Sequence, residues 1–347
     1  MNILYILIAV VILGIIVMIH EFGHYLAGRL CGMTILEFSV GFGPRLLGFE
    51  KEGIKYSVRL IPLGGYCMFK GENEKTDDPK AMCNQPVWKR LITVAAGPFM
   101  NMVLALLCAM GVVFGYGSTE GAPVITQVMA DTPAYNAGLE AGDRITKVNG
   151  FEISYDEAGL TELIEEIRDS GGEEIALSVD REGTAVDLVL TPAYVEEANA
   201  YQVGVLLGYK TIRYGLWEGI GMAFRYVVYV GRLTLEGLRT IFTSREALDQ
   251  VTGPVGIIDV ISTSVQQGFD MVLYLGVLIS LNLGIVNLLP VPGLDGGRLL
   301  FLIVEAIRRK PVDQNKEGLV HAAGLILLFG FILFVTYKDI VRLITGG

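Results

Sequence analysis

Long uncharged apolar runs alternate with polar stretches along this chain in a pattern that predicts four membrane crossings. Residues 1 to 19 carry no charge, and the apolar character continues to Gly28, broken only by His20, Glu21 and His24. At about 1.5 Å per residue such a helix covers a hydrocarbon core of roughly 30 Å. The run is too long for a cleaved signal peptide and lacks a basic leading segment, so it reads as a span. Further spans are expected from about Leu91 to Tyr116, Met271 to Leu289 and Leu319 to Tyr337.

Between the first two spans, 38–49 and 56–69 read as strands punctuated by Gly and Pro. Their apolar character fits a β-structure lying against the membrane face or dipping into it. From Gly117 to Tyr194 the pattern becomes that of a compact α/β module. It has Gly/Asp turns, a helix-period stretch over 155–168, and alternating strands over 174–180 and 185–190. Within 212–243 the charged residues Glu218, Arg225, Arg232 and Arg239 recur every seven positions, opposite Ala223, Val227, Val230 and Ile241. That spacing predicts an amphipathic helix at the membrane surface. The expected segments are therefore 1–28 (span), 29–90 (β loop), 91–116 (span), 117–194 (inserted domain), 195–270 (amphipathic segment), 271–298 (span), 299–318 (loop) and 319–347 (span and C-terminus).

Charge orients this layout. Ten Lys and Arg lie between Tyr25 and Arg90, and Arg308, Arg309, Lys310 and Lys316 follow the third span. By the excess of basic residues on the inner side, both loops are cytoplasmic, and the insert and both termini extracytoplasmic. The insert has 16 acidic against four basic residues, while the whole chain of 347 residues has a net charge of −10. Such a balance excludes nucleic acid as a partner, because nothing neutralises phosphates in bulk. A mean hydropathy of +0.51 agrees with a membrane protein. Cys31, Cys67, Cys83 and Cys108 match no metal-binding spacing and read as free thiols.

The chemistry sits in His20-Glu21-Phe22-Gly23-His24. On a helix, residues i and i+4 share a face, so both imidazoles reach one metal ion and the glutamate is placed to take a proton from water. Ionisable residues deep in a span cost roughly 2.5–3.5 kcal/mol each, which makes a purely structural role hard to sustain. A third ligand is expected where Asn287-Leu288-Leu289-Pro290-Val291-Pro292-Gly293-Leu294-Asp295-Gly296-Gly297 breaks the third span. Irregular backbone at membrane depth must face protein or a cavity, so Asp295 is a natural ligand; alone it would also suit a solvated turn.

HExxH in a first span followed by NxxPxPxLDG in a later one resembles the site-2 protease family of intramembrane zinc metalloproteases, in its bacterial regulator-of-sigma-E form. Gly41-Phe42-Gly43, Ile61-Pro62-Leu63-Gly64-Gly65-Tyr66, Ala96-Gly97-Pro98-x-x-Asn101 and Gly253-Pro254-Val255-Gly256 extend the likeness over nearly the whole chain. The string from Pro133 to Gly150 resembles a bacterial PDZ domain. The implied fold is a polytopic α-helical membrane protein with four transmembrane helices, a membrane-associated β-rich cytoplasmic loop and an inserted extracytoplasmic α/β PDZ domain.

The resemblance implies one zinc ion held by His20, His24 and Asp295, with Glu21 as general base. It also places Asn287 and Asn101 near the substrate or the oxyanion. It implies a location in the bacterial inner membrane, with the active site in the bilayer near its cytoplasmic face. Implied substrates are single-span membrane proteins already cut once, such as anti-sigma factors and remnant signal peptides. The glycine-rich loop of peptide-binding PDZ domains has only a loose counterpart in 117–123, which leaves carboxylate binding and a size filter both open. An inactive PDZ adaptor would lack one of His20, Glu21, His24 or Asp295, and a zinc transporter would spread its polar residues along a path; neither matches.

Overall fold

The computed structural model describes residues 3–72, 74–243 and 252–345. Four of its helices are long and apolar enough to cross a membrane: α1 (Ile3–Leu30), α2 (Val87–Gly115), α7 (Phe269–Asn287) and a last helix over Gln314–Thr345. Leu7, Val11 and Ile15 on the first and Leu327, Leu333 and Phe334 on the last are exposed. Apolar surface on this scale is what a lipid-facing helix presents. The chain falls into two compact units, one of residues 1–115 and 216–347 and one of residues 116–215.

In the first unit α2 is the central element, packed against α1, α7 and two further helices. Its crossing with α1 depends on small residues. A Cβ on Gly23 would lie 2.2 Å from the Ala96 carbonyl oxygen, so only glycine permits this approach. Strands β1 (Ile35–Lys51) and β2 (Ile54–Phe69) follow α1. Val40 pairs with both Val58 and Gly65, while Leu47 pairs with Val58. Two long bent strands thus make four segments side by side, in the order 45–51, 54–59, 37–40 and 65–69. Leu46, Leu47, Phe49 and Leu60 are exposed on this hairpin and give it an apolar tip.

The second unit contains strands β3 (Ser118–Val128), β4 (Arg144–Val148), β5 (Phe151–Glu152), β6 (Ile175–Arg181), β7 (Thr184–Leu190), β8 (Ala193–Val195), β9 (Ala200–Gln202) and β10 (Val205–Ile212). Helices α3 (Pro133–Asn136) and α4 (Glu157–Asp169) lie between them. The main sheet runs β10-β3-β4-β6-β7, over a core of Ile125, Ile145, Val148, Leu163, Leu177 and Val179. The inserted module therefore does not end at Tyr194 as its composition implied. Strand β10 pairs antiparallel with β3 from Val205–Val128 to Ile212–Ser118, and so belongs to it. This pairing joins residues 77 to 94 positions apart and leaves no local signal.

Among the described residues, the remainder of the expected amphipathic segment holds two helices. Helix α5 (Leu216–Thr243) buries Ala223 and Val230, on the face opposite its charges. The part of that segment over 244–251 lies outside the described residues. Helix α6 (Pro254–Gln267) follows, and its first turn explains the Gly253-Pro254-Val255-Gly256 motif. The backbone N–H groups of Gly253 and Gly256 donate to the buried Asp339 carboxylate at 3.2 and 2.8 Å. A carboxylate at a helix N-terminus satisfies donors that have no partner within the helix. Helix α7 stops at Asn287, the chain turns through Pro290 to Leu294, and α8 (Asp295–Arg308) begins at the aspartate. The last helix is α9 (Gln314–Thr345).

One buried ion pair is expected to govern the pH stability of the second unit. Asp143 is 1% exposed and accepts from Arg181 through two contacts of 2.7 Å. Burial alone would raise its pKa, but the Arg181 hydrogen bonds and the Glu140 N–H outweigh that and hold it below its usual 3.8. A depressed carboxyl stabilises the fold above its unfolded pKa and loses that contribution as pH falls through the folded value. Hydrogen exchange at β4 and β6 in the full-length protein should therefore accelerate below about pH 4. Arg181→Met should lower the stability of the unit at neutral pH, by leaving the buried Asp143 carboxylate without its partner, and flatten that dependence. Unchanged exchange in the variant would contradict the assignment.

Candidate metal centre

The structure brings together three of the residues singled out by their spacing. His20 and His24 lie one turn apart on α1, and Asp295 opens α8 beyond the proline-rich break. Asp295 Oδ2 is 3.0 Å from His20 Nε2 and 3.3 Å from His24 Nε2, and the two Nε2 atoms are 3.2 Å apart. Ligands about 2.0–2.1 Å from a zinc ion at tetrahedral angles would be separated by about 3.3–3.4 Å. The triangle has the size such an ion requires. Among the described residues this is the one group of three His, Cys, Asp or Glu side chains able to hold a metal.

Hydrogen bonds behind the imidazoles aim them. His24 Nδ1–H donates to the Thr93 carbonyl at 2.9 Å, which leaves Nε2 with a lone pair directed at the triangle. His20 Nδ1 lies 3.2 Å from the side-chain amide of Asn101, a residue with no exposed surface. Asn101 Oδ1 otherwise has no partner. Turning that amide about its last bond keeps its shape and lets Oδ1 accept from His20 Nδ1–H. His20 Nε2 is then bare as well. Ser280 Oγ–H donates to the Asn101 carbonyl at 2.9 Å and ties this support to α7.

Three lone-pair atoms thus converge on one buried point. Asp295 Oδ2 has no hydrogen-bond donor despite its proximity to both rings. A buried carboxylate oxygen without a donor is costly, and a cation between the three atoms removes that cost. The backbone leaves room for one. A Cβ on Gly97 would lie 2.2 Å from His24 Nε2 and 2.9 Å from His20 Nε2. The residues present fit a zinc ion.

Glu21 shares a cavity of about 350 Å³ with these three residues. Strand β2 forms its backing: a Cβ on Gly65 would lie 3.3 Å from Glu21 Cγ, and Cys67 lines the same cavity. Asn287 lines the same cavity, as do Arg298 and His321. Asn101 is not on the cavity wall; it stands behind His20. Sequence reading missed the Thr93 carbonyl, since a backbone acceptor leaves no side-chain signature. It also missed that Gly97, visible in the Ala96-Gly97-Pro98 turn, makes the space between the imidazoles.

Gly97→Ala should abolish metal retention in the purified full-length protein, because the added methyl occupies the point where the ligands meet. Gly115→Ala on the same helix meets nothing within 4 Å and should keep the metal of the parent chain. Elemental analysis after dialysis decides it. Equal metal content in both variants would place the ion elsewhere.

Comparison with known proteins gives the family. A Brucella suis protein provisionally named a zinc metalloprotease is 34% identical over 95% of this chain and 93% of its own length. The regulator of sigma-W protease of Bacillus subtilis is 29% identical over 96% of this chain and 97% of its own. A solved PDZ domain of an SdrC-like protein from Listeria monocytogenes covers 26% of this chain and 90% of its own, at 20% identity and a TM-score of 0.22; so low a score carries no argument about the inserted unit. The model of peptidase family M50 matches residues 8–331, with the histidines, the glutamate and the aspartate all inside the match, and the chain therefore belongs to this family of site-2 proteases.

Proposed function

We propose that the chain is an intramembrane zinc metalloendopeptidase that hydrolyses peptide bonds within transmembrane segments of single-span membrane proteins. The observation that carries this reading is the convergence of His20, His24 and Asp295 on one buried point beside Glu21, on a helix apolar enough to cross a membrane. The metalloprotease names of its relatives support the same reading. One zinc ion per chain would be held by His20 Nε2, His24 Nε2 and Asp295 Oδ2. Bound there, zinc supplies a Lewis acid and acidifies water towards neutrality.

The other steps belong to the chain's own groups. The Glu21 carboxylate takes a proton from the attacking water as its oxygen adds to the scissile carbonyl carbon. Glu21 then returns that proton to the departing amide nitrogen as the C–N bond breaks; the remaining water proton passes from the new carboxylic acid to the amine, leaving a carboxylate and an ammonium group. Thr93 and Asn101 hold the two imidazoles in the tautomers that ligation needs. Asn287, on the cavity wall, contacts the peptide being cut. The substrate must unwind to expose a backbone carbonyl, and the exposed edge of the β1–β2 sheet supports its pairing as an added strand.

In this reading the protein sits in the bacterial inner membrane with both termini and the inserted unit outside. The basic loops face the cytoplasm, and the active site lies within the bilayer towards that face. Substrates are single-span proteins already trimmed by another protease, with anti-sigma factors and remnant signal peptides as the expected kinds. The inserted unit, in the PDZ-like role inferred from 133–150, screens them by the bulk they carry outside.

Cleavage of a tagged single-span substrate by the purified protein in detergent tests the activity. Glu21→Gln should lower the rate about 10²- to 10⁴-fold while zinc content holds. Chelation should stop cleavage, and zinc should restore it. Glu21→Gln cutting at the parent rate would contradict the assignment of the base. Replacing residues 116–215 by a short Gly/Ser linker should let untrimmed substrates be cut; unchanged resistance would sink the filter.

A further inference from the structure

His321 lies near the start of α9, yet its ring forms part of the cavity wall shared with Glu21 and Asp295. Its two nitrogens have different fates. The Gly293 backbone N–H, in the proline-rich break two residues before Asp295, donates to His321 Nδ1 at 3.0 Å. A ring that accepts at Nδ1 carries its proton at Nε2. That Nε2 is buried and has no hydrogen-bond partner. The nearest carboxylate oxygen, Glu317 Oε1, is 4.0 Å away, beyond hydrogen-bonding reach. Buried donors are nearly always paired in folded proteins, so an orphan beside a substrate cavity points to a partner supplied by the ligand. The neighbouring cation is already engaged: Arg298 pairs with Glu72.

We propose that His321 is a substrate-binding residue whose Nε2–H donates to a backbone carbonyl oxygen of the peptide stretched through the cavity, while its Nδ1 holds the break that presents Asp295. A chain unwound for cleavage has carbonyls without their helical partners, and at membrane depth each needs a donor. His321 supplies one from the part of the cavity wall that α9 contributes. The inference rests on the protease reading above, and names the residue of α9 that takes part.

Two substitutions separate the functions of the ring. His321→Asn keeps an acceptor near the position of Nδ1 and removes the donor at Nε2. His321→Gln keeps a donor near the position of Nε2 and loses the short acceptor. Both are measured in the full-length protein for zinc content, for cleavage of the tagged substrate, and for binding of that substrate in a Glu21→Gln background. His321→Asn should retain zinc, weaken binding roughly ten-fold and slow cleavage at low substrate concentration by a similar factor. His321→Gln should recover most of the binding. If His321→Asn binds and cuts as the parent does while His321→Gln fails, the ring only positions the break and the proposal is overturned. If the Glu21→Gln background protein binds none of a panel of trimmed spans, the protease reading fails, and this assignment with it. Binding without cleavage by the parent chain would contradict the protease reading alone, and the His321 comparison would still be read from affinity.

Discussion

Two bare imidazole nitrogens and a carboxylate oxygen within 3.0–3.3 Å of one another repel unless something positive stands between them. The rest of the first unit is arranged to force that encounter. Thr93 and Asn101 direct the ring protons away from the triangle, so the lone pairs face inward. Helix α1 reaches α2 closely enough only because Gly23 and Gly97 carry no side chain. The break between α7 and α8 delivers Asp295 from the far side, and the Gly293–His321 bond holds that break. In low-dielectric surroundings such a cluster is strongly stabilised by a divalent cation, which couples metal binding to the packing of three helices.

The same dryness explains why the chain invests in a β-structure beside a helical bundle. A peptide bond can be hydrolysed only where water and an extended backbone meet, and a lipid-facing helix offers neither. The hairpin of β1 and β2 backs Glu21 through Gly65 and lines the cavity with Tyr66, Cys67 and Phe69. Its interior is held by a polar cluster. Arg59 donates to Glu37 at 2.8 Å and to Ser39 at 3.1 Å, and Ser57 donates to Glu37 at 2.7 Å. A second ion pair, Arg90 with Glu305, ties the start of α2 to α8. Polar anchors therefore fix the elements that must stay in register, while apolar surface faces outward.

Much of this was legible in the sequence, for a definite reason. The i, i+4 histidines are a local pattern, and the span lengths follow from uncharged runs, so both are visible without knowing the fold. Asp295 was legible because proline and glycine at membrane depth demand a cavity. Other features are non-local. Strand β10 joins the inserted sheet through pairing with β3, and its residues read as the start of the next segment. Asn101 was recognisable by motif, yet only the fold shows that it faces His20 Nδ1 and stands off the cavity wall. His321 was an isolated histidine near a helix start, and nothing in its neighbours announces that it meets Gly293, 28 positions earlier. Asp339 and the Gly253–Gly256 turn show the same limit: each is unremarkable until the last helix brings them together.

The central claim is that one zinc ion is held by two imidazoles and a carboxylate. X-ray absorption at the zinc edge of the purified, full-length protein tests it most directly, because Cys67 also lines the cavity and offers a rival ligand. The account predicts a first shell of nitrogen and oxygen at about 2.0–2.1 Å, two of its members showing the outer-shell pattern of imidazole. A sulfur shell at about 2.3 Å, or a shell without imidazole, would contradict it.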